Sequence, residues 1–422
     1  MSAIALVTFG SAGDVHPMLA IGRRLRQRGH RVVLLTNPAF AADAARVGLE
    51  FRPVGSADDL RQTVAHPKLW HPVDGFGVMW RYLLRPALEP SYEALSVLAQ
   101  EGVTVVVASP VAMGARVAQE ALGLRLVSVY TAATMLRTLR DPMTIAQWRV
   151  PAWLPASLRR LAWSQLDRHK LQPLVLPALE QLRGRLGLAS LRQSVFGEWM
   201  HSPDAGVALF PSWFAAAPPD WPPQVQQAGF PLYDDETDPV EADDANAPLP
   251  GPLAAFLAGG APPVVFMPGT ATQSNAAFYE AALAACHQTG RRGVLLGPAP
   301  AALAASLPAT VHAQPYASFA QLLPAASALV HHGGIGSCAQ ALRAGIAQLM
   351  VPQAYDQFDN AMRVERLGVG QELKLAHFSR MGEALDGLLA SSQVAAACAE
   401  AAVRLRSDDA RAVVASVVER LA

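Results

Sequence analysis

A glycine-rich segment in the C-terminal third of the chain carries residues suited to binding a phosphate. Gly333, Gly334 and Gly336 separate an apolar run from a run with helical character. Such a turn leaves room for a ligand beside the backbone, and the helix that it opens offers unpaired N–H groups and the positive end of its dipole. His332 and Ser337 flank the turn and can each donate a hydrogen bond to a phosphate oxygen. The segment therefore predicts a phosphate site.

Two further polar residues follow the next predicted strand, a short apolar run closed by Pro352. Asp356 and Gln357 stand in the loop beyond it, where their side chains can hydrogen-bond a polyol. A metal site formed by His331 and His332 is the weaker interpretation, because adjacent residues on a strand point to opposite faces.

A second loop that could contain catalytic residues follows the first predicted strand, Ala3–Phe9. The loop Gly10–Asp14 precedes a predicted helix, Pro17–Arg28. Ligands gather at the carboxyl ends of parallel strands, so Asp14 is a candidate general base. The alternative interpretation of Asp14 is a plain helix N-cap. His16 is the rival candidate for the base, and it is also a candidate residue of a substrate pocket.

The elements that position these residues predict an α/β fold. The strand–helix–strand start, completed by Arg31–Thr36, is typical of a doubly wound parallel sheet. It is not a dinucleotide fingerprint, because the glycines do not form G-x-G-x-x-G and no acid ends the second strand. Val103–Ser109 and Arg125–Tyr130 are further strands, whose ends at Ser109 and Thr131 should line the same cleft as Asp14.

A second domain begins with the apolar strand Pro263–Met267. Gly269 and Thr270 follow it in another loop suited to phosphate. The predicted organisation is an N-terminal domain (1–214) with a helical insertion (135–191), a linker (215–262), a C-terminal domain (263–400) and a C-terminal helix (401–422) that crosses back to the first domain.

Aromatic residues concentrate in the N-terminal half, where they suggest an apolar substrate pocket. The candidates are Trp70, Phe76, Trp80, Trp153, Trp163 and Trp199. Ordinary core packing explains each residue about equally well. The insertion also has a basic face, formed by Arg159, Arg160, Arg168, His169 and Lys170. Its helices suit a membrane surface, the lid of an apolar pocket, or a simple solvated insertion.

The linker is rich in proline and contains an acidic run. Gly206–Phe210 reads as the last strand of the first domain, and the region after it as mobile and poorly packed. The acidic run, from Asp234 to Asp244, is typical of a solvated linker rather than of a metal site.

Composition excludes several classes of protein. The 422 residues contain 34 acidic and 34 basic side chains, whereas a nucleic-acid binder would show a basic excess. There is no run of 18 apolar residues, and the start lacks the basic region of a signal peptide. Three widely spaced cysteines suggest neither a disulfide framework nor a zinc site. We expect a cytoplasmic protein.

The segment from His332 to Gln357 resembles the donor-binding signature of the family 1 glycosyltransferases. The resemblance implies the GT-B fold, in which two doubly wound Rossmann-like domains face a central cleft. It implies that the diphosphate contacts His332, the glycine turn and Ser337, with Gly269 and Thr270 nearby, and that the sugar contacts Asp356 and Gln357. It also favours Asp14 as the base, at the position where many members carry histidine.

Two positions depart from the family pattern. Tyr316 stands where the family places a tryptophan that stacks on the nucleobase, and Phe319 replaces a glutamine that would contact ribose and base. No residues form a convincing Mg²⁺ site, so we expect neither a metal nor another cofactor.

At finer grain the chain resembles the rhamnosyltransferases of rhamnolipid synthesis. The strings that carry this are T-F-G-S-A-G-D-V-H-P from Thr8, H-P-K-L-W from His66, F-G-V-M-W from Phe76, W-M-H-S-P from Trp199 and D-Q-F-D-N from Asp356. They imply dTDP-L-rhamnose as donor, a 3-(3-hydroxyalkanoyloxy)alkanoate as acceptor, and loose contact with the inner membrane or with the enzyme that makes the acceptor. Another donor such as UDP-glucose, another lipid, sterol or macrocyclic acceptor, and a non-catalytic auxiliary protein are the alternatives.

Overall fold

The computed structural model describes residues 2–140, 144–145, 148–151, 153–233, 249–269, 276–304, 306–406 and 408–422. These residues form two compact units. One unit comprises Met1–Pro231 together with Asp409–Ala422, and the other comprises Leu232–Asp408.

The strands are mostly short apolar runs. They are β1 (Ala3–Val7), β2 (Arg31–Thr36), β3 (Glu50–Pro53), β4 (Val103–Ala108), β5 (Arg125–Tyr130), β6 (Thr144–Ile145), β7 (Trp148–Arg149), β8 (Ala205–Ala208), β9 (Val225–Gln227), β10 (Val264–Met267), β11 (Gly293–Leu296), β12 (Val311–Gln314), β13 (Ala328–His331), β14 (Ala347–Met350) and β15 (Gly370–Glu372).

Seventeen α-helices are present in the described residues. They are α1 (Ala12–Gln27), α2 (Ala41–Arg46), α3 (Ala57–Ala65), α4 (Gly75–Met79), α5 (Arg85–Gln100), α6 (Met113–Leu122), α7 (Ala156–Leu166), α8 (Gln172–Arg185), α9 (Gly251–Ala258), α10 (Ala276–Thr289), α11 (Ala301–Ala304), α12 (Phe319–Leu322), α13 (Ile335–Ala344), α14 (Gln357–Arg366), α15 (Met381–Ala390), α16 (Ser392–Arg406) and α17 (Ala410–Glu419). Short π-helical turns include Trp80–Leu84, Asp167–Leu171 and Val195–Trp199.

Each unit is organised around one parallel sheet. The order in the first unit is β3-β2-β1-β4-β5-β8-β9, and the order in the second is β12-β11-β10-β13-β14-β15. Every neighbouring pair in both sheets is parallel. The central strands are buried on both faces, with Ile4 to Val7 of β1 fully inaccessible, as unbroken apolar runs require. The predicted fold class is confirmed.

The region after β8 differs from the predicted mobile linker. β9 extends the first sheet, so β8 is not its last strand. Trp221 packs edge-on against Phe210 at 6.0 Å, and Phe230 packs against Phe214 at 5.3 Å. Apolar burial therefore fixes residues 215–233, which the proline content alone did not reveal. The acidic run lies outside the described residues.

The C-terminal segment also divides differently from the prediction. Residues 401–406 belong to α16 of the second unit, and only Asp409–Ala422 belongs to the first unit. There α17 lies against α1, where Glu419 accepts a hydrogen bond from Arg28 at 2.7 Å and lies 3.2 Å from His30.

Candidate active site

Asp14 lies in the first turn of α1 and not in a loop ahead of it. The helix begins at Ala12, before the predicted start at Pro17, and Ser11 is its N-cap. The Oδ2 atom of Asp14 accepts hydrogen bonds from the backbone N–H of Ser11 at 2.9 Å and from its Oγ at 3.3 Å. The N-cap interpretation is thus corrected: Asp14 is the partner of the capping residue in a capping box.

The surroundings of Asp14 make its carboxylate an unusually strong base. Burial raises the pKa of Asp14 from 3.8 to about 6, and the hydrogen bonds from Ser11 lower it only in part. The group is still mainly ionised at neutral pH, which suits a general base. Gly10 makes room for it, since a Cβ at this position, where φ is +147°, would lie 2.1 Å from Asp14 Oδ2.

The sheet places Asp14 where ligands bind in this fold class. β1 pairs with β2 on one side and with β4 on the other, so the chain reverses its direction of travel across the sheet at β1. The residue that follows β4, Ser109, donates from its backbone N–H to Val7 O at 3.1 Å. The carboxyl ends of β1 and β4 therefore meet at a topological switch point. Thr131 follows β5, and half-buried His16 follows Asp14 on α1.

Two of the predicted acceptor residues belong to the core. Trp80 and Trp199 are each 2% exposed. The Trp199 Nε1 donates to Glu120 Oε1 at 2.8 Å, and its ring lies 5.3 Å from the Arg116 guanidinium and 5.6 Å from that of Arg183. Both tryptophans thus complete the packing of the first unit, which corrects their assignment to the acceptor pocket.

The other predicted aromatic residues lie in three different environments. The Trp163 ring stacks on the Arg137 guanidinium at 4.3 Å, whereas Trp153 is 80% exposed. Phe76 packs edge-on against a core phenylalanine at 5.5 Å. Phe76 and Trp70, which are both half-buried, keep the accessibility that an acceptor contact needs.

In the second unit the glycine turn connects β13 to α13. Gly334 is the N-cap of this helix, which begins at Ile335 and so includes Gly336, the last glycine of the predicted turn. Ser337 lies in the first turn and is 8% exposed. Because β10 pairs with both β11 and β13, the turn lies at the switch point of the second sheet. The N–H groups of the first helical turn are thus available at the place where a ligand binds.

The two histidines before the turn have different roles. His331 is fully buried, its Nδ1 accepts the Gly333 N–H at 3.1 Å, and its Nε2 lies 3.1 Å from Gln348 Oε1. His332 is half-buried, and its Nδ1 is buried without a hydrogen-bond partner among the described residues. Such an atom is the place where a ligand oxygen or hydroxyl would bind.

Both imidazoles are neutral at physiological pH. Burial lowers the pKa of His332 to about 4. Burial and the neighbouring His332 lower the pKa of His331 to about 3. A neutral ring that holds a proton on Nδ1 can donate one hydrogen bond to a phosphate oxygen without carrying charge.

Asn360 connects the glycine turn to Asp356. This residue is fully buried, and its Nδ2 donates to Gly333 O at 3.0 Å and to Asp356 Oδ2 at 2.7 Å. The Oε1 of Gln357 accepts two backbone N–H groups of the loop before it, at 2.8 and 3.1 Å. These two bonds occupy both lone pairs of Oε1, so the amide nitrogen is the group that Gln357 can offer a sugar.

Strain accompanies the same loop. Tyr355 has φ +56° and is the only non-glycine residue with positive φ in the described part of the chain. A side chain in this region costs roughly 1–3 kcal/mol, and such strain concentrates at functional sites. The strained residue directly precedes Asp356.

The remaining predicted donor residues are only partly described. Gly269 follows β10 with φ +116°, whereas Thr270 lies outside the described residues. Gly336 is exposed in the first turn of α13. Tyr316 lies beyond β12 with 74% of its surface exposed, so its ring is accessible to a planar ligand.

Sequence reasoning missed the residues that hold the site together. Asn360 follows Asp356 by four positions, the spacing at which helical side chains meet, so this partner was recognisable once α14 was placed. Ser11 and Asp14 fit the pattern of a capping box. The link from His331 to Gln348 joins two strands and had no signal in the local sequence.

Two family models match the chain. The glycosyltransferase family 28 N-terminal domain matches residues 4–140, and the erythromycin biosynthesis protein CIII-like C-terminal domain matches residues 296–421. The O-mycaminosyltylonolide 6-deoxyallosyltransferase of Streptomyces fradiae is 30% identical over 421 residues, which cover 96% of this chain and 92% of that protein. The chain belongs to the family 1 glycosyltransferases of GT-B fold.

Solved structures agree on the fold of this glycosyltransferase. The glycotransferase of kitacinnamycin superposes with a TM-score of 0.74 at 20% identity, covering 100% of this chain and 99% of the other. The spinosyn rhamnosyltransferase SpnG, complexed with thymidine diphosphate, gives a TM-score of 0.65 at 18% identity, covering 99% and 100% of the two chains.

Three further observations complete the description of the glycosyltransferase. Its described residues contain no group of three or more His, Cys, Asp or Glu side chains placed to hold a metal ion. In the same residues no single helix has the length and apolar character to span a bilayer, although one bent pair, Leu375–Ala390 with Ser392–Glu419, meets those two criteria. The three cysteines are free and buried.

Replacing Asn360 with aspartate should destabilise the glycosyltransferase by roughly 2–4 kcal/mol and raise the KM for its donor. The change removes both hydrogen bonds from Nδ2 and places a carboxylate beside Asp356. Chemical unfolding and donor titration measure the two effects. The exchange Asp356→Asn with Asn360→Asp restores a donor–acceptor pair, so it should recover part of the stability but not the donor affinity. An unchanged unfolding free energy in Asn360→Asp would contradict this role.

Proposed function

We propose that the protein transfers L-rhamnose from dTDP-L-rhamnose to the hydroxyl of a 3-(3-hydroxyalkanoyloxy)alkanoate, which gives a mono-rhamnolipid. The transfer inverts the anomeric centre and needs no metal. The observation that carries the proposal is the half-buried Asp14 carboxylate, which lies at the switch point of the first sheet and has its pKa raised to about 6. An alcohol is a poor nucleophile, so its attack needs such a base.

The reaction breaks two bonds and forms two. The acceptor hydroxyl gives its proton to Asp14 while its oxygen attacks the anomeric carbon of the rhamnose. The bond from that carbon to the diphosphate oxygen breaks, and its electron pair leaves with dTDP. Both hydrogen bonds from Ser11 end on Oδ2, so Oδ1 is the atom that accepts the proton.

Groups of the second unit stabilise the departing diphosphate. The N–H groups at the start of α13 and the helix dipole favour negative charge there. Ser337 and the Nδ1 of His332, which has no hydrogen-bond partner among the described residues, add hydrogen bonds as charge develops on the leaving group. Asp356, held by Asn360, binds hydroxyls of the sugar, and exposed Tyr316 stacks on the thymine.

The identity of the two substrates rests on the sequence. The strings H-P-K-L-W and W-M-H-S-P, from His66 and Trp199, resemble those of rhamnolipid rhamnosyltransferases. The fold neighbour SpnG is a rhamnosyltransferase that was complexed with thymidine diphosphate, which supports this class of donor. We place the reaction in the cytoplasm.

A macrocyclic acceptor is the second candidate. The relative from Streptomyces fradiae is named as a 6-deoxyallosyltransferase acting on O-mycaminosyltylonolide, and it matches the chain over nearly its whole length. A macrolide acceptor would use the same base and donor groups but would not need a site for two acyl chains.

A transfer assay tests the proposal directly. The purified protein would be given dTDP-L-rhamnose or UDP-glucose with the lipid hydroxy acid or a macrolide alcohol, with and without a chelator, and products read by mass spectrometry. We expect the mass of the rhamnolipid when dTDP-L-rhamnose is the donor and the lipid hydroxy acid is the acceptor, and not when UDP-glucose is the donor. The chelator should leave the amount of product unchanged. Product only from UDP-glucose would overturn the donor, and product only from the macrolide would overturn the acceptor. Nucleotide-sugar binding without any product would favour a non-catalytic auxiliary protein.

A further inference from the structure

Helix α7 exposes leucine side chains to solvent on one face. Hydrogen bonds from Arg159 attach the helix to the rest of the first unit. None of its residues is buried. Leu158 is 48% exposed and Leu161 is 52% exposed, and their i, i+3 spacing puts them on one face. Trp153, just before the helix, is 80% exposed. We call Trp153, Leu158 and Leu161 the α7 patch; Trp148 in the preceding hairpin, 59% exposed, extends its apolar character.

Polar contacts hold α7 in this orientation. Arg159 donates from Nε to Leu154 O at 2.8 Å and from Nη1 to Leu139 O at 2.6 Å. The Trp163 ring covers Arg137, which donates to both carboxylate oxygens of Asp167 at 2.7 and 2.8 Å. The bond to Leu154 O also keeps neighbouring Trp153 beside the start of the helix. The patch is therefore displayed by a fixed scaffold.

Basic side chains outnumber acidic ones in the segment that contains the patch. Residues 148–172 contain five Arg or Lys side chains and one acid, Asp167, which is 7% exposed and paired with Arg137. Arg160 lies on α7, and Arg168 and Lys170 follow in the next turn, all three exposed. Exposed tryptophan and leucine beside surplus cations is the combination that binds the interface of an anionic bilayer.

We propose that the α7 patch docks this protein on a membrane surface rich in anionic phospholipid. Trp153, Leu158 and Leu161 enter the boundary between headgroups and acyl chains, while Arg160, Arg168 and Lys170 contact the phosphates. The docking needs no substrate, so it can be tested apart from the transfer reaction, and either proposal can fail while the other stands. A membrane-docked enzyme would meet a two-chain acceptor where such a lipid partitions.

Co-sedimentation with vesicles tests the docking. The full chain would be mixed with vesicles of equal parts phosphatidylcholine and phosphatidylglycerol, or of phosphatidylcholine alone, at low and high salt. We expect binding to the anionic vesicles, weakened by salt. Leu158→Ser with Leu161→Ser should lower binding by about tenfold or more. Arg160→Gln with Lys170→Gln should lower it by about fivefold for each charge removed.

Val97→Ser is the matched control. Val97 is 54% exposed on α5 of the same unit but lies outside the α7 patch, so this variant should bind as the wild type does. Thermal unfolding would show that all variants fold, as the exposure of the changed residues predicts. Absence of wild-type binding at low salt, or unchanged binding in the double-leucine variant, would overturn the proposal. So would a wild-type dimer that the leucine changes dissociate, because a second copy would then cover the patch.

Discussion

Replacing Asp14 with asparagine is expected to lower the rate of glycosyl transfer by about 10²- to 10⁴-fold with little change in the KM for the donor. Asparagine keeps an oxygen that can accept the Ser11 N–H, so the start of α1 should stay intact, but it cannot take a proton from the acceptor hydroxyl. Steady-state kinetics with each substrate varied in turn measures the effect.

The pH dependence of kcat/KM in the wild type should also reveal Asp14 as the base. The pKa of Asp14 is raised to about 6, so kcat/KM should fall as pH drops through that value and the carboxylate takes up a proton. The residual rate of Asp14→Asn should lack this acid limb. His332 does not account for the limb, because its pKa is lowered to about 4.

As pH rises, the contribution of Asp14 to the free energy of unfolding should fall, whereas kcat/KM should increase. A carboxyl group with a pKa higher in the folded than in the unfolded state favours folding when protonated, and this contribution is lost as pH rises from about 4 to about 6. Above that range Asp14 is ionised, and the desolvation of its charge lowers the free energy of unfolding. An uncharged asparagine does not have this effect. We expect Asp14→Asn to be at least as stable as the wild type at pH 8.

The chain provides a matched control in α3. Ser56 and Asp59 form the same capping box, with the Ser56 N–H donating to Asp59 Oδ2 at 2.6 Å. Asp59→Asn should therefore leave the transfer rate unchanged. Equal kinetic losses in the two variants would mean that Asp14 only caps its helix, and a wild-type rate in Asp14→Asn would remove it as the base.

The parallel sheets were predictable because their strands are apolar runs that only a doubly covered sheet can bury. Arg31–Thr36 and Arg125–Tyr130 have the predicted bounds. The start of α1 was misplaced because Pro17 reads as an opening residue, whereas the Ser11–Asp14 capping box starts the helix earlier and the proline lies inside it.

Side-chain exposure was much less predictable than backbone structure. Trp153 and Trp199 have the same residue type and belong to the same unit, yet one is 80% exposed and the other is 2% exposed. The difference arises from tertiary partners, since Glu120 and two arginines surround Trp199. No local pattern encodes such contacts, so the donor residues in the loop–helix motifs were easier to find than the acceptor pocket.

Replacing His332 with alanine is the change with the second-largest expected effect, a fall in kcat of about 10²- to 10³-fold. The Nδ1 of His332 has no hydrogen-bond partner among the described residues, so its loss should cost little folding free energy. Its hydrogen bond would form with the diphosphate and strengthen as the leaving group gains charge, so the loss should fall mainly on kcat.

His331 provides the comparison that separates catalysis from structure. Its ring accepts the Gly333 N–H and contacts Gln348, so His331→Ala should destabilise the protein by roughly 1–3 kcal/mol through the buried groups left unpaired. His332→Ala should instead keep the wild-type unfolding free energy while losing rate. Kinetics and chemical unfolding on both variants give the test. If His332→Ala lost as much stability as His331→Ala, or kept its full kcat, then the second histidine would be part of the scaffold and the amides of α13 would hold the leaving group alone.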